Sequence, residues 1–133
     1  MCLAESDCVR VLLPTTDFPP MTRGIQLLLG RLVGHSRHQF DIVATAARDS
    51  NYDERTSASS VRRGPRVRSH RTEVALLNAL TFAQALKRRP DVLRSGHIVL
   101  GHAALVSGRL VRSPVVQAVY AKELTARGAC QAE

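Results

Sequence analysis

The residues of this 133-residue chain best suited to chemistry are Thr15-Thr16-Asp17-Phe18-Pro19-Pro20, followed closely by Arg23-Gly24-Ile25-Gln26. A small residue where a helix begins lets backbone N–H groups approach an anion, and the helix dipole adds positive potential at the same point. Gly24 fits such a place. Arg23 narrows the backbone approach but brings a guanidinium that can itself hold a phosphate. Asp17 and Gln26 are a carboxylate and an amide, groups able to hydrogen-bond a polar ligand. The alternative is purely structural: Pro19-Pro20 shapes a turn and Gly24 fits a helix start. Further along, Gly96-His97 follows a strand end, where a histidine would face a cleft and contact substrate.

Other reactive residues point away from common chemistries. Cys2, Cys8 and Cys130 are odd in number and lie near the two ends, a spacing of neither a disulfide framework nor a zinc knuckle. His35, His38, His97 and His102 lack the spacing of a metal pair, so neither metal nor cofactor is expected. Seventeen arginines against two lysines give a net charge of +8, which attracts phosphates, acidic head groups or nucleic acid. Six of these arginines fall between Arg55 and Arg71 with no acidic residue among them. That stretch reads as an anion-binding surface or as a solvated basic loop. It contains no aromatic residue, which argues against base stacking and makes nucleic acid a disfavoured partner.

The elements that must position these residues follow from apolar spacing. Val9 to Leu13 reads as a buried strand ended by Pro14. A helix starts at Thr22 or Gly24, carries Ile25, Leu28, Leu29 and Leu32 at helical spacing, and stops before Gly34. Gln39 to Thr45 is a second strand, which completes a βαβ unit. Residues 46–66 are polar and read as a mobile basic loop. Val67 to His70 is a short third strand. Val74 to Lys87 is a helix stopped by Pro90, Asp91 to Arg94 a fourth strand, Ile98 to Leu110 a helix and Val115 to Tyr120 a fifth strand. Alternating strands and helices imply an α/β class with a doubly wound, mostly parallel sheet. In such sheets ligands bind beyond the C-terminal strand ends at the topological switch point. That singles out the loops after strands one and four and the end of strand five.

Absences remove several classes. No Gly-x-Gly-x-x-Gly follows strand one, so a dinucleotide-binding domain is disfavoured. There is no P-loop motif and no Gly-x-Ser-x-Gly elbow. No apolar run of 18 residues occurs, and the first residues do not resemble a secretory signal, so a cytoplasmic place is expected.

The Thr16-Asp17-Phe18-Pro19-Pro20 loop with Gly24-Ile25-Gln26 after it resembles the opening of family 4 glycosyltransferases, such as bacterial phosphatidylinositol mannosyltransferases. Pro90-Asp91-Val92, and Pro114-Val115-Val116 leading to Lys122-Glu123-Leu124, are similar to later landmarks of that family. The resemblance spans Arg10 to Leu124. It implies a Rossmann-like, acceptor-side N-terminal domain of the two-domain GT-B fold over residues 1–133. It also implies retaining hexosyl transfer from a nucleotide-sugar to a lipid or small-molecule acceptor. Thr16, Asp17, Arg23, Gly24, Gln26 and His97 would contact substrate, and Tyr120 and Glu123 would stand beside the reacting sugar.

The sequence departs from the family at two places. Arg23 replaces the first glycine of the usual pair, and Tyr120-Ala121 replaces the usual His-Gly. Tyrosine, with a reference pKa near ~10, carries protons less readily than histidine near neutral pH. No counterpart of the family's donor-binding half lies within these residues. The chain by itself is therefore expected to show negligible transfer, and a second chain would supply the donor domain. An apolar fifth strand left at a sheet edge is expected to invite association. Membrane apposition at the inner face would suit a lipid-glycosylating relative. A non-catalytic remnant and a basic anion-binding module are the competing functions.

Overall fold

A computed structural model describes residues 8–19, 24–46 and 60–120. Arg23, Glu123, Cys2 and Cys130, with most of the expected loop (residues 47–59), lie outside the described residues. The order is β1 (Arg10–Thr15), α1 (Gly24–His35), β2 (Gln39–Ala44), β3 (Ser60–Arg63), α2 (His70–Arg88), β4 (Val92–Ser95), α3 (Gly101–Val111) and β5 (Val115–Gln117). A single 3-10 turn, Ile98–Leu100, leads into α3.

All the strand pairings are parallel, and the sheet order is β3-β2-β1-β4-β5. This is a Rossmann-like, doubly wound arrangement. The chain first winds outward from β1 through β2 to β3. It then crosses back over α2 to place β4 on the other side of β1. The switch point therefore lies between the C-terminal ends of β1 and β4.

Alternation along the central strands builds two cores. Val11 and Leu13 of β1, with Phe40, Ile42 and Ala44 of β2, meet Leu29 and Val33 of α1 on one face. Leu12 and Val43 point the other way and meet Leu77 and Ala85 of α2, Leu93 of β4, and Leu100 and Ala104 at α3. Leu12, Leu13 and Leu93 are fully buried. A strand covered on both faces reads as a continuous apolar run, which is why β1 was visible in the sequence.

Several boundaries differ from the sequence reading. Strand β1 continues through Pro14 to Thr15. The β1–β4 register runs over Val11 and Leu12, and Pro14 contributes its carbonyl, which accepts from Gly96 N at 2.9 Å. The third strand is Ser60–Arg63, not Val67 to His70, so part of the expected loop is sheet. It is an edge strand, paired with β2 from Asp41↔Ser60 to Ala44↔Arg63. An edge strand keeps one side in water, so it tolerates arginines that hide it from an apolar search.

Helix α2 begins at His70, four residues before Val74. Ser69 is its N-cap, and Ser69 O accepts from Glu73 N at 3.0 Å. Its first turn is polar and carries no apolar period. Gly34 lies inside α1, not past its end. The fourth strand is shifted one residue later, and the fifth stops at Gln117, short of Tyr120. Arg89 and Arg112 close α2 and α3 in the left-handed region, with φ of 46° and 58°. The usual glycine is absent at both ends.

Candidate functional site at the β1–β4 switch point

The loop after β1 starts with a local lock. Asp17 N donates to Thr15 Oγ1 at 3.1 Å, and Thr15 Oγ1 donates back to Asp17 O at 3.3 Å. A hydroxyl bonded to the backbone two residues on is a turn-forming device. Thr15 is fully buried, so the turn is anchored in the core at the strand end. Thr45 Oγ1, just past β2, donates to Thr16 O at 3.0 Å.

The Asp17 carboxylate is met by side chains from two separate elements. Gln26, in the first turn of α1 and 2% exposed, donates from Nε2 to Asp17 Oδ1 at 3.2 Å. His97, beyond β4, places Nε2 2.8 Å from Asp17 Oδ2. The contact is within ion-pair distance, and it is an ion pair when the imidazole is protonated. The His97 side chain is 12% exposed and that of Asp17 36%, so the carboxylate is the open member of the pair. Each of its two oxygens is contacted by a side chain, and part of the carboxylate still faces solvent.

His97 reaches Asp17 because the backbone before it comes unusually close to β1. A Cβ on Gly96 would lie 2.8 Å from both Thr15 Cβ and Thr15 Oγ1, and 3.0 Å from Pro14 O. Real Cβ atoms do not approach other heavy atoms that closely. Gly96 has no positive φ, so space is what requires glycine here. Ser95, fully buried, donates from Oγ to His97 O at 2.8 Å and fixes the turn from inside. Ala118 N donates to Ser95 O at 3.0 Å, which brings the chain past β5 to the same place. The Tyr120 ring then stands 5.7 Å from the His97 ring, tilted by 54°.

Of the residues singled out from the sequence, Thr16, Asp17, Gln26, His97 and Tyr120 gather at this junction. Gly24 opens α1 on the exposed surface, and no atom lies within 4 Å of a Cβ built there. Arg23 and Glu123 lie outside the described residues. Thr15 and Gly96 stand in stretches that the sequence already singled out, whereas Thr45 and Ser95 belong to the site without a sequence signature of their own. The contacts of Thr45 and Gly96 cross between strands, and only the Gly-His pair hinted at the second. A hollow of about 300 Å³ begins one residue past His97, lined by Ile98, Gly101, His102, Leu105, Val115 and Gln117. No group of three His, Cys, Asp or Glu side chains suited to a metal occurs among the described residues. No helix among them is long and apolar enough to cross a membrane.

The arrangement offers an oriented carboxylate, a buried amide and a histidine–tyrosine pair around an open corner of a parallel sheet. Carboxylate, amide and phenol groups can accept from or donate to hydroxyl groups. No protein-family model and no curated protein matches the chain.

Proposed function

We propose that this domain holds the acceptor of a glycosyl transfer, with the Asp17 carboxylate receiving an acceptor hydroxyl. The observation that carries the reading is the convergence of Gln26 and His97 on the two oxygens of Asp17 at the switch point. A carboxylate already held by two side chains loses little freedom when it accepts a further hydrogen bond, which favours polar ligands over bulk water. The resemblance of the Thr16–Pro20 loop and Gly24-Ile25-Gln26 to family 4 glycosyltransferases supplies the reaction class. On this reading a nucleotide-sugar is the donor, and a second domain on this or a partner chain presents it. The acceptor is a lipid or small molecule rich in hydroxyls, and transfer proceeds with retention. Tyr120 packs beside His97 and borders the acceptor, and Glu123, three positions later in the sequence, is the second residue that the resemblance puts beside the reacting sugar.

The test is binding of myo-inositol, as a polyol probe, to the 133-residue chain, followed by nuclear magnetic resonance. Wild-type protein should show saturable shifts at Asp17, Gln26 and His97. Asp17→Asn and His97→Ala should each weaken binding at least about tenfold, the scale of one lost hydrogen bond to a charged group. Binding unaffected by Asp17→Asn would remove the proposal.

A second reading rests on Arg62, Arg66, Arg68 and Arg71, all exposed between β3 and the first turn of α2. Here the domain is an anion-binding module. It requires salt-sensitive binding to acidic vesicles or DNA that survives Asp17→Asn and is lost when Arg62 and Arg66 are changed to Ala.

A further inference from the structure

Arg63 is the last residue of β3, and its side chain reaches the loop that carries Asp17. Its Nη1 donates to Thr45 O at 3.1 Å, and its Nη2 donates to Pro19 O. Its guanidinium carbon lies 5.9 Å from the centre of the Phe18 ring. Phe18 is 8% exposed and belongs to the core beneath α1. One planar cation thus ties the end of β2 to two consecutive residues of the β1–α1 loop.

These contacts fall directly beside Asp17. Thr45 holds Thr16 O, and Arg63 holds Phe18 and Pro19. The β2–β3 side of the sheet therefore fixes the backbone on both sides of Asp17. The β4 side fixes its carboxylate through His97. Charge-assisted hydrogen bonds are shorter and stronger than neutral ones, and a cation over an aromatic ring adds to them. A guanidinium can serve two carbonyls and lie over a ring because it is a flat fork, whereas an ammonium is a point charge.

We propose that Arg63 is the positioning residue of this site, aligning Asp17 with Gln26 and His97 through Phe18 and Pro19. The role is local. Arg62 carries the same charge one residue earlier, is exposed, and projects to the opposite face of the strand. A general effect of basic charge would treat the two arginines alike, and a positioning role would not. A displacement of about 1 Å at a binding group can cost ~100-fold in function, so the alignment matters beyond stability.

The experiment compares Arg63→Ala, Arg63→Lys and Arg62→Ala in the 133-residue chain without ligand. It follows hydrogen exchange at the Asp17 amide, which is bonded to Thr15 Oγ1, and the ring-to-ring cross-peak between His97 and Tyr120. Exchange at Ile42 and Leu93 reports the sheet. Arg63→Ala should speed Asp17 exchange at least about tenfold while Ile42 and Leu93 stay within about twofold, and should weaken the cross-peak. Arg63→Lys should show the same local defect, and Arg62→Ala neither change. Should Arg63→Ala not fold, Arg63→Lys decides. Unchanged Asp17 exchange in both Arg63 variants would overturn the role. So would an equal effect of Arg62→Ala, or a parallel rise at Ile42 and Leu93.

A second arm measures myo-inositol binding and rests on the acceptor reading above. Loss of affinity in Arg63→Lys supports both. Failure of the wild-type chain to bind myo-inositol overturns the acceptor reading, while the exchange data alone decide the role of Arg63.

Discussion

Gly96→Ala is the sharpest test of how the site is assembled, because one methyl group would occupy the narrowest point between β1 and β4. The added carbon would stand 2.8 Å from two Thr15 atoms and 3.0 Å from Pro14 O. Thr15 is fully buried and Pro14 O is backbone, so neither can swing aside as a surface side chain would. Forcing one methyl into a packed interior costs about 1–3 kcal/mol. The strands must part, and the Gly96 N to Pro14 O bond of 2.9 Å is strained or lost. That bond contributes about 1 kcal/mol. The sum, about 2–4 kcal/mol, is a large share of the ~5–15 kcal/mol typical of a folded domain. With a urea dependence of about 2 kcal/mol/M, the unfolding midpoint should fall by about 1–2 M. The matched control is Gly34→Ala near the end of α1, where no atom lies within 4 Å of the new carbon. Helix propensity should raise stability there by up to about 1 kcal/mol. A Gly96→Ala midpoint within about 0.2 M of wild type would refute the crowding argument and the view that glycine is needed to bring His97 to Asp17.

Three further outcomes are expected. A double-mutant cycle of Asp17→Asn and His97→Ala, read by urea unfolding, should give a coupling of only about 0.5–1 kcal/mol, because Asp17 is 36% exposed and water screens the pair. Arg112→Gly should raise stability by about 0.5–1 kcal/mol, since Arg112 holds φ of 58° with its N–H bonded to Gly108 O. A thermal melt measures it, and a lower melting temperature would contradict it. On β5 and just beyond it, Val116 is 52% and Val119 45% exposed, at a parallel sheet edge. Val116→Lys should therefore reduce association at high concentration in size exclusion, and an unchanged elution profile would count against the edge as the contact.

The amino-acid sequence by itself determined the class of fold. Buried parallel strands are continuous apolar runs, and Leu12, Leu13, Ile42 and Val43 stand in such runs. Helices announce themselves by period, and Leu29 and Leu77 fall on the faces that the sheet buries. Both signals are local, so the βαβ order and the loops at the switch point could be read from neighbouring residues. Asp17, Gln26 and His97 were legible as candidates on the same basis, from their types and their places at strand and helix ends.

Tertiary structure decided what local signals cannot carry. Strand β3 owes its place to pairing with β2 and not to apolar content, so Val61 flanked by Ser60, Arg62 and Arg63 passed for loop. The contact of Asp17 with His97 joins residues 80 positions apart, and only the crossover of α2, which sets β4 beside β1, brings them together. Gly96 is required by the distance between two strands, a quantity with no trace in its own neighbours. Arg63 looked like one basic residue among six, yet its guanidinium reaches Thr45, Pro19 and Phe18. The physical reason is the same in each case. Hydrophobic period and turn chemistry act over a few residues, whereas hydrogen bonds and close packing act through space, between segments whose proximity only the folded sheet establishes.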